Sequence, residues 1–324
     1  MYPTSHFPNA KKYWYEGKFY DWNEIQIHPM TFALHYGGSV FEGIRAYKTA
    51  KGPAIFRLSE HIDRLFHSAS VAKMNVPYSQ KEIIDAIKMT VHKNKLASAY
   101  IRPLLFYSYG NLGLRPKYCP VELILGAWEW EAYLGHKTEV GTSVYILPWK
   151  RIHHSQMDLT AKLGGLYVQS TISAMEARSL GFDEAVFLNL EGNIAEGAGE
   201  NIFVVHGNVL KTNDKTESIL EGITRTSILE MAQDLGYRTV IGPITKTEFF
   251  KADESFFSGT AAEIAPIVKV TDGSNPKIPK KEYTIGSGRV GETTLRLSRV
   301  FKEIVTGKIK KYRKWLTLVS DQNS

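Results

Sequence analysis

Hydrophobic and polar positions along the chain follow two spacings, one of period two and one near 3.6. From Lys12 to Trp22 aromatic and polar residues alternate about Glu16-Gly17, which predicts a β-hairpin. Ala54 to Leu58 is a short strand, and Ser59 is a plausible N-cap for the helical pattern EHIDRLFHSASVAKM that follows. Ser79 and Glu82 have the spacing of a capping box ahead of the helix IIDAIKMTVHKN. Strands are predicted again at Ala99 to Tyr107 and Val121 to Trp130.

Glu131 to Val140 is polar and reads as a linker. Beyond it the pattern predicts a strand at Ser143 to Leu147, a polar passage from Arg151 to Asp158, and a helix from Leu166 to Leu180 that Gly181 ends. Strands at Glu184 to Leu190 and Ile202 to Val205 flank a glycine-rich turn. A helix over Thr224 to Leu235 stops at Gly236. Short strands follow at Ser255 to Ser258 and Ile267 to Val270, and a last helix at Glu292 to Ile304. Strands and helices in this order predict an α+β protein of two domains, 1–135 and 136–324.

Composition changes this picture little. The 324 residues are 43% apolar and 23% charged, close to globular averages. One cysteine, Cys119, excludes an intrachain disulfide framework and any cysteine-cluster zinc site, and suits a reducing cytoplasm. The N-terminus has no apolar core of a secretory signal, and no apolar run is long enough to cross a bilayer. A soluble protein that binds neither membrane nor nucleic acid is expected. Part of the net charge of +7 lies in the stretch Lys308 to Trp315, which reads as a solvated basic face because no aromatic-and-basic groove pattern recurs elsewhere.

Lys162 is the first candidate for chemistry. It lies in Leu159-Thr-Ala-Lys-Leu-Gly-Gly-Leu166, an apolar, small-residue setting just before a helix. An ammonium is costly to desolvate in such a place, and a Schiff-base nucleophile needs its amine deprotonated. Taken alone, the segment also fits a surface lysine beside an ordinary glycine turn. The run Glu191-Gly-Asn-Ile-Ala-Glu-Gly-Ala-Gly-Glu-Asn201 carries three carboxylates, one of which could pair with a pyridinium nitrogen. Gly197 and Gly199 would let a flat ring or a backbone approach; the run fits a polar surface hairpin as well. Leu220 to Thr226 enters a helix and Ser258 to Glu263 follows a strand, so each offers N–H groups to an anion, or a plain cap.

Other patterns lead nowhere. Gly286-Ser-Gly-Arg-Val-Gly291 spells a dinucleotide fingerprint, yet it follows a polar stretch and no acid stands some twenty residues on, so it reads as a helix-entry loop. His153-His154 has no partner at metal spacing, and His61 and His67 fall on different helix faces, so no metal is expected. Nothing beside Cys119 would activate it.

Taken together, AKLGGLY, EGAGEN, LEGITR and SGTAAEIAPI, with HYGGSVFEGIRAY, EHIDRL, AYIRP and AYLG in the same order, resemble the branched-chain amino acid aminotransferases among the fold-type IV pyridoxal phosphate enzymes. The resemblance is nearly chain-long. It implies a smaller N-terminal α/β domain, a larger C-terminal β-rich domain with helices, and pyridoxal 5'-phosphate at the domain interface. The implied reaction is reversible amino transfer between leucine, isoleucine or valine and 2-oxoglutarate, in the cytoplasm, by a homodimer at least. D-amino acid transamination and aminodeoxychorismate lysis are the alternatives within the fold.

Carried over motif by motif, the resemblance makes Lys162 the catalytic, cofactor-holding lysine. Tyr167 falls near the cofactor's phenolic oxygen, Glu196 at its pyridine nitrogen and Leu220 against its ring. Arg64, Ile223, Thr224 and Thr260 fall at its phosphate. The substrate pocket maps to Tyr36, Phe41, Trp130, Tyr133, Tyr167 and Ala261. Tyr100 with the N–H groups of Thr260 and Ala261 would meet the α-carboxylate, and Arg102 with Tyr36 and Tyr133 the distal carboxylate of glutamate. Gly38, where the family often carries a larger residue, and Arg115, in a loop (Gly110 to Pro120) that in the family reaches a neighbour's active site, depart from the pattern.

Overall fold

The computed structural model describes residues 7–24, 27–130 and 140–319. By its internal contacts the chain forms two compact units that are not separated by one cut along the sequence: residues 161–166 and 303–319 belong with the N-terminal unit.

The first unit is built on an eight-stranded sheet. Its strands are β1 (Lys12–Tyr15), β2 (Lys18–Asp21), β3 (Ser39–Phe41), β4 (Ile44–Thr49), β5 (Gly52–Phe56), β6 (Ala99–Tyr107) and β7 (Val121–Trp128), with Leu316–Leu318 pairing on β5. The expected hairpin is β1–β2, and β6 pairs with β7 over its length, Tyr100 opposite Trp128. Helices α1 (Phe32–Tyr36), α2 (Leu58–Val71) and α3 (Gln80–Lys93) accompany the sheet. Ile62 and Leu65 of α2, with Ile83, Ile87 and Val91 of α3, bury their apolar stripes in one core with Ile44, Ile101, Leu105, Leu123 and Leu125. Ser79 caps α3 as its spacing predicts: its side chain accepts from the Glu82 N–H while the Glu82 carboxylate accepts from the Ser79 N–H. The start of α2 differs from expectation. The cap is Arg57, held at φ 50° by its N–H bond to the Trp315 carbonyl (2.7 Å), so Ser59 already lies inside the first turn.

The second unit holds a nine-stranded sheet of β8 (Thr142–Ile146), β9 (Glu184–Leu188), β10 (Ile194–Gly197), β11 (Asn201–His206), β12 (Val209–Thr212), β13 (Arg238–Ile241), β14 (Glu254–Gly259), β15 (Glu263–Asp272) and β16 (Lys281–Thr284). Strand β15 runs parallel to β8 and antiparallel to β14, and is longer than its apolar run suggests. Phe203 and Phe256 are register partners whose rings stack at 5.0 Å, the cross-strand pair at the centre of the sheet. The glycine-rich stretch is not wholly a turn, since Ile194–Gly197 is the buried strand β10. Its Glu and Gly are poor strand formers, and pairing to β9 overrides them. Around the sheet lie α4 (Tyr167–Ser179), α5 (Ile223–Asp234), α6 (Lys246–Phe250) and α7 (Glu292–Val305).

Helix α4 inverts the usual amphipathic pattern. Ser170, Ser173 and Ala177 face inward, whereas Val168, Ile172 and Met175 are exposed, Met175 by 67%. Among the described residues no helix is long and apolar enough to cross a membrane.

Ser79→Ala removes the side-chain half of the capping box, the acceptor for the Glu82 N–H, and is expected to lower unfolding free energy by about 0.5–2 kcal/mol in urea titration, with turnover unchanged.

Candidate active site

In the first unit the Lys162 loop is pinned from both sides. The Lys162 N–H donates to the Ser68 hydroxyl of α2 (2.8 Å), and its carbonyl accepts from the Phe41 N–H of β3 (3.2 Å). Leu163 forms a bridge to Val40. Approach this close requires glycine: a Cβ on Gly164 would stand 2.1 Å from the Ser39 Oγ, and one on Gly37 would meet the Gly165 Cα at 2.9 Å. Gly38 has a similar reason, because the Phe32 and Tyr107 rings lie 3.0 and 3.3 Å from where its Cβ would be.

Phe41 is the hub of the residues gathered here. The Lys162 Nζ lies 4.9 Å from its ring centroid and the Arg102 guanidinium 4.6 Å. Arg102 donates to the Tyr100 hydroxyl (2.9 Å), and the Tyr100 ring packs on Trp130 at 5.0 Å. Lys162, Phe41, Tyr100, Arg102 and Trp130 therefore form one contiguous group. Tyr36 is exposed and packs on Phe32 instead. Tyr133 lies outside the described residues, as does most of the expected linker.

Behind this group is a charge cluster that pattern reading overlooked. Glu42 is fully buried, and both its oxygens are engaged by Arg64, through Nε (2.6 Å) and Nη2 (2.9 Å). His61 Nδ1 lies 2.8 Å from Oε2 and must donate, because an ionised carboxylate only accepts. Burial pushes the Glu42 carboxyl up, but the Arg64 guanidinium and the His61 hydrogen bond overcome it and hold Glu42 well below the usual carboxylate range. Burial pushes the His61 imidazole down, and the positive charges of Arg64 and Lys162 act the same way against Glu42. The visible signal was a lone glutamate set among the apolar residues of SVFEGI.

In the second unit Glu196, on β10, accepts from Arg151 Nε (2.9 Å) with one oxygen and from the Leu220 N–H (3.1 Å) with the other. Gln169 of α4 accepts from Arg151 Nη1 and from the Ile152 N–H. Asn201 grips the same loop, donating to the Leu220 carbonyl (2.7 Å) and accepting from the Gly222 N–H (3.0 Å). A Cβ at Gly222 would meet that amide oxygen at 2.3 Å. Gly222 caps α5 with no side-chain hydrogen bond, so Ile223 and the buried Thr224 open a helix whose first N–H groups no cap residue takes. Thr260 and Ala261 lie in the β14–β15 turn, where Gly259 approaches the Gly199 carbonyl. Of the two glycines read as openings, Gly197 admits the Phe257 ring and Gly199 borders open space. Tyr167 is half-buried at the head of α4.

The Gly286–Gly291 loop enters α7 as expected, although Lys281–Thr284 before it is a strand, exposed and antiparallel to β15. The helix start is already filled: the Glu254 carboxylate accepts from the Thr293 and Thr294 N–H groups at 2.9 and 2.8 Å. A phosphate would have to displace that carboxylate.

A family description, amino-transferase class IV, matches residues 39–270. The chain belongs to the class IV aminotransferases. It is 44% identical to the branched-chain-amino-acid aminotransferase of Pseudomonas aeruginosa over 94% of this chain and 96% of that one. The Escherichia coli K12 enzyme of the same name is 39% identical over 95% and 97%. Among solved structures, the T.th. branched-chain amino acid aminotransferase superposes with a TM-score of 0.88 at 41% identity, covering 97% of this chain and all of that one. The same protein has been solved with N-(5'-phosphopyridoxyl)-L-glutamate and with pyridoxamine 5'-phosphate. The α+β fold is thus that of the fold-type IV aminotransferases.

His61, with its pKa held below the ordinary 6.5, contributes stability at neutral pH that is lost as pH falls through that value, because the unfolded chain takes up the proton first. Glu42 acts in the same direction only below its ordinary 4.5. His61→Asn is expected to flatten the fall in urea midpoint between about pH 7 and about pH 5; an unchanged slope would assign that loss to other groups.

Proposed function

We propose that this class IV aminotransferase moves amino groups between branched-chain L-amino acids and 2-oxoglutarate, with pyridoxal 5'-phosphate as cofactor. The observation that carries the reading is Lys162, pinned at its backbone with its amine on the Phe41 ring beside Arg102, in a chain 44% identical to a branched-chain enzyme. The donor set suits the phosphorylated cofactor: a guanidinium at Arg64, a helix start without a side-chain cap at Ile223 and Thr224, and a small-residue turn at Thr260.

When bound, the cofactor supplies an aldehyde for an amine and a ring that draws electrons from the substrate's α-carbon. Lys162 would hold it, and its amine would serve as the base that takes the proton from the substrate's α-carbon. Glu196 would meet the pyridine nitrogen and favour its protonated form; Arg151 and the Leu220 N–H fix the carboxylate's orientation for that task. Tyr167 would serve the phenolic oxygen and Leu220 the ring face, while Arg64, Ile223, Thr224 and Thr260 would hold the phosphate. Tyr36, Phe41, Trp130, Tyr133, Tyr167 and Ala261 accommodate an aliphatic side chain. Tyr100 with the Thr260 and Ala261 N–H groups takes the α-carboxylate, and Arg102 with Tyr36 and Tyr133 the distal carboxylate of glutamate.

The protein acts in the cytoplasm as a homodimer or a larger assembly. Support comes from the apolar residues left outside each unit: Val168, Ile172 and Met175 on α4, and Leu112, Leu114 and Tyr118 in the Gly110 to Pro120 loop, with Leu114 89% exposed.

Lys162→Ala is expected to abolish both turnover and borohydride-trapped cofactor; survival of the trapped adduct would sink the assignment. An amino-donor panel separates the readings within the fold, with leucine, isoleucine and valine expected to outpace D-alanine. Met175→Glu is expected to lower the sedimentation coefficient toward that of a single chain, and an unaltered coefficient would remove α4 from the contact.

A further inference from the structure

We propose that Glu42 is a positioning residue for the cofactor's phosphate, acting by clamping the Arg64 guanidinium. The inference rests on the reading above, in which Arg64 binds that phosphate. Glu42 adjoins Phe41 in the chain and is 0% exposed, and it sits opposite one face of α2. That face presents His61, Arg64 and Ser68, at positions i, i+3 and i+7. A bare carboxylate is expensive at such depth, and an apolar residue of the same size would pack without that cost. Glu42 answers it with three charge-assisted contacts, two of them from one guanidinium at 2.6 and 2.9 Å.

The geometry of the clamp sets direction. Arginine has five N–H donors in a rigid fork, and Glu42 takes the Nε and one Nη2 hydrogen, which fixes the plane of the group. His61 closes the second Glu42 oxygen, so the carboxylate cannot swing to follow another cation. Ser68, one turn further along the same helix, holds the Lys162 backbone at 2.8 Å. Helix α2 therefore registers the phosphate-directed guanidinium and the reactive amine on one rigid element, with Glu42 as the stop that keeps the guanidinium in register.

The test compares pyridoxal phosphate with pyridoxal, which has the same aldehyde and ring but no phosphate. Both are titrated by visible absorption into the full-length chain freed of cofactor. The native chain is expected to prefer the phosphorylated form, and Glu42→Gln to lower affinity for it by about ten- to a hundredfold while leaving pyridoxal unchanged, as befits lost hydrogen bonds to a charged group. Equal loss for both ligands, or no loss for either, would overturn the inference while leaving the proposed reaction standing. A native chain that binds neither overturns both. If Glu42→Gln shows no cooperative melting transition, Arg64→Lys decides: it keeps the charge but cannot be held at two nitrogens, so it too should lose the preference for the phosphorylated form, and full retention would overturn the clamp.

Discussion

The loop that carries Lys162 depends on backbone contact at van der Waals distance. Its N–H is taken by a hydroxyl from α2 and its carbonyl by an N–H from β3, and glycines at 37 and 164 let the two segments approach closely enough for this. A lysine side chain has four rotatable carbons, so its amine is placed only as well as its backbone is. Fixing the N–H and the carbonyl of one residue removes the backbone's share of that freedom before any ligand arrives.

A second theme is the treatment of buried carboxylates. Glu42 and Glu196 are each met by an arginine and by a further donor, the His61 ring in one case and the Leu220 N–H in the other. Such pairs contribute little net stability once desolvation is counted, yet losing one partner would strand a charge. What they supply is orientation: the planar fork of arginine and the two carboxylate oxygens have few mutual arrangements.

Much of this was legible in the sequence. The capping box at Ser79, the end of α4 at Gly181 and the full span of β6 follow from local rules that tertiary packing leaves alone. The chemistry-bearing motifs were legible too, because glycines and small residues at fixed spacing tolerate few alternatives. What remained hidden depended on distant partners. Arg57 caps α2 only because Trp315 holds its N–H, and Ile194–Gly197 is a strand only because β9 lies beside it. The partners of the site residues were hidden for the same reason. Arg151 looked like part of a polar passage and Asn201 like a turn residue, since neither the Glu196 carboxylate nor the Leu220–Gly222 backbone is near them in sequence.

Helix α4 has a consequence beyond the fold. Serine and alanine on its inner side let it lie tight against the sheet, with Trp149 donating to Ser173 at 2.9 Å, so Tyr167 at its first turn inherits a fixed mounting. The same economy sends its larger apolar groups to the outside, where water is a poor neighbour. In the proposed assembly, with this stripe covered by a second copy, mass action would link the shelf life of the protein to its concentration: dilution that separated the copies would wet the stripe and erode resistance to heat, although no bond inside either unit had changed.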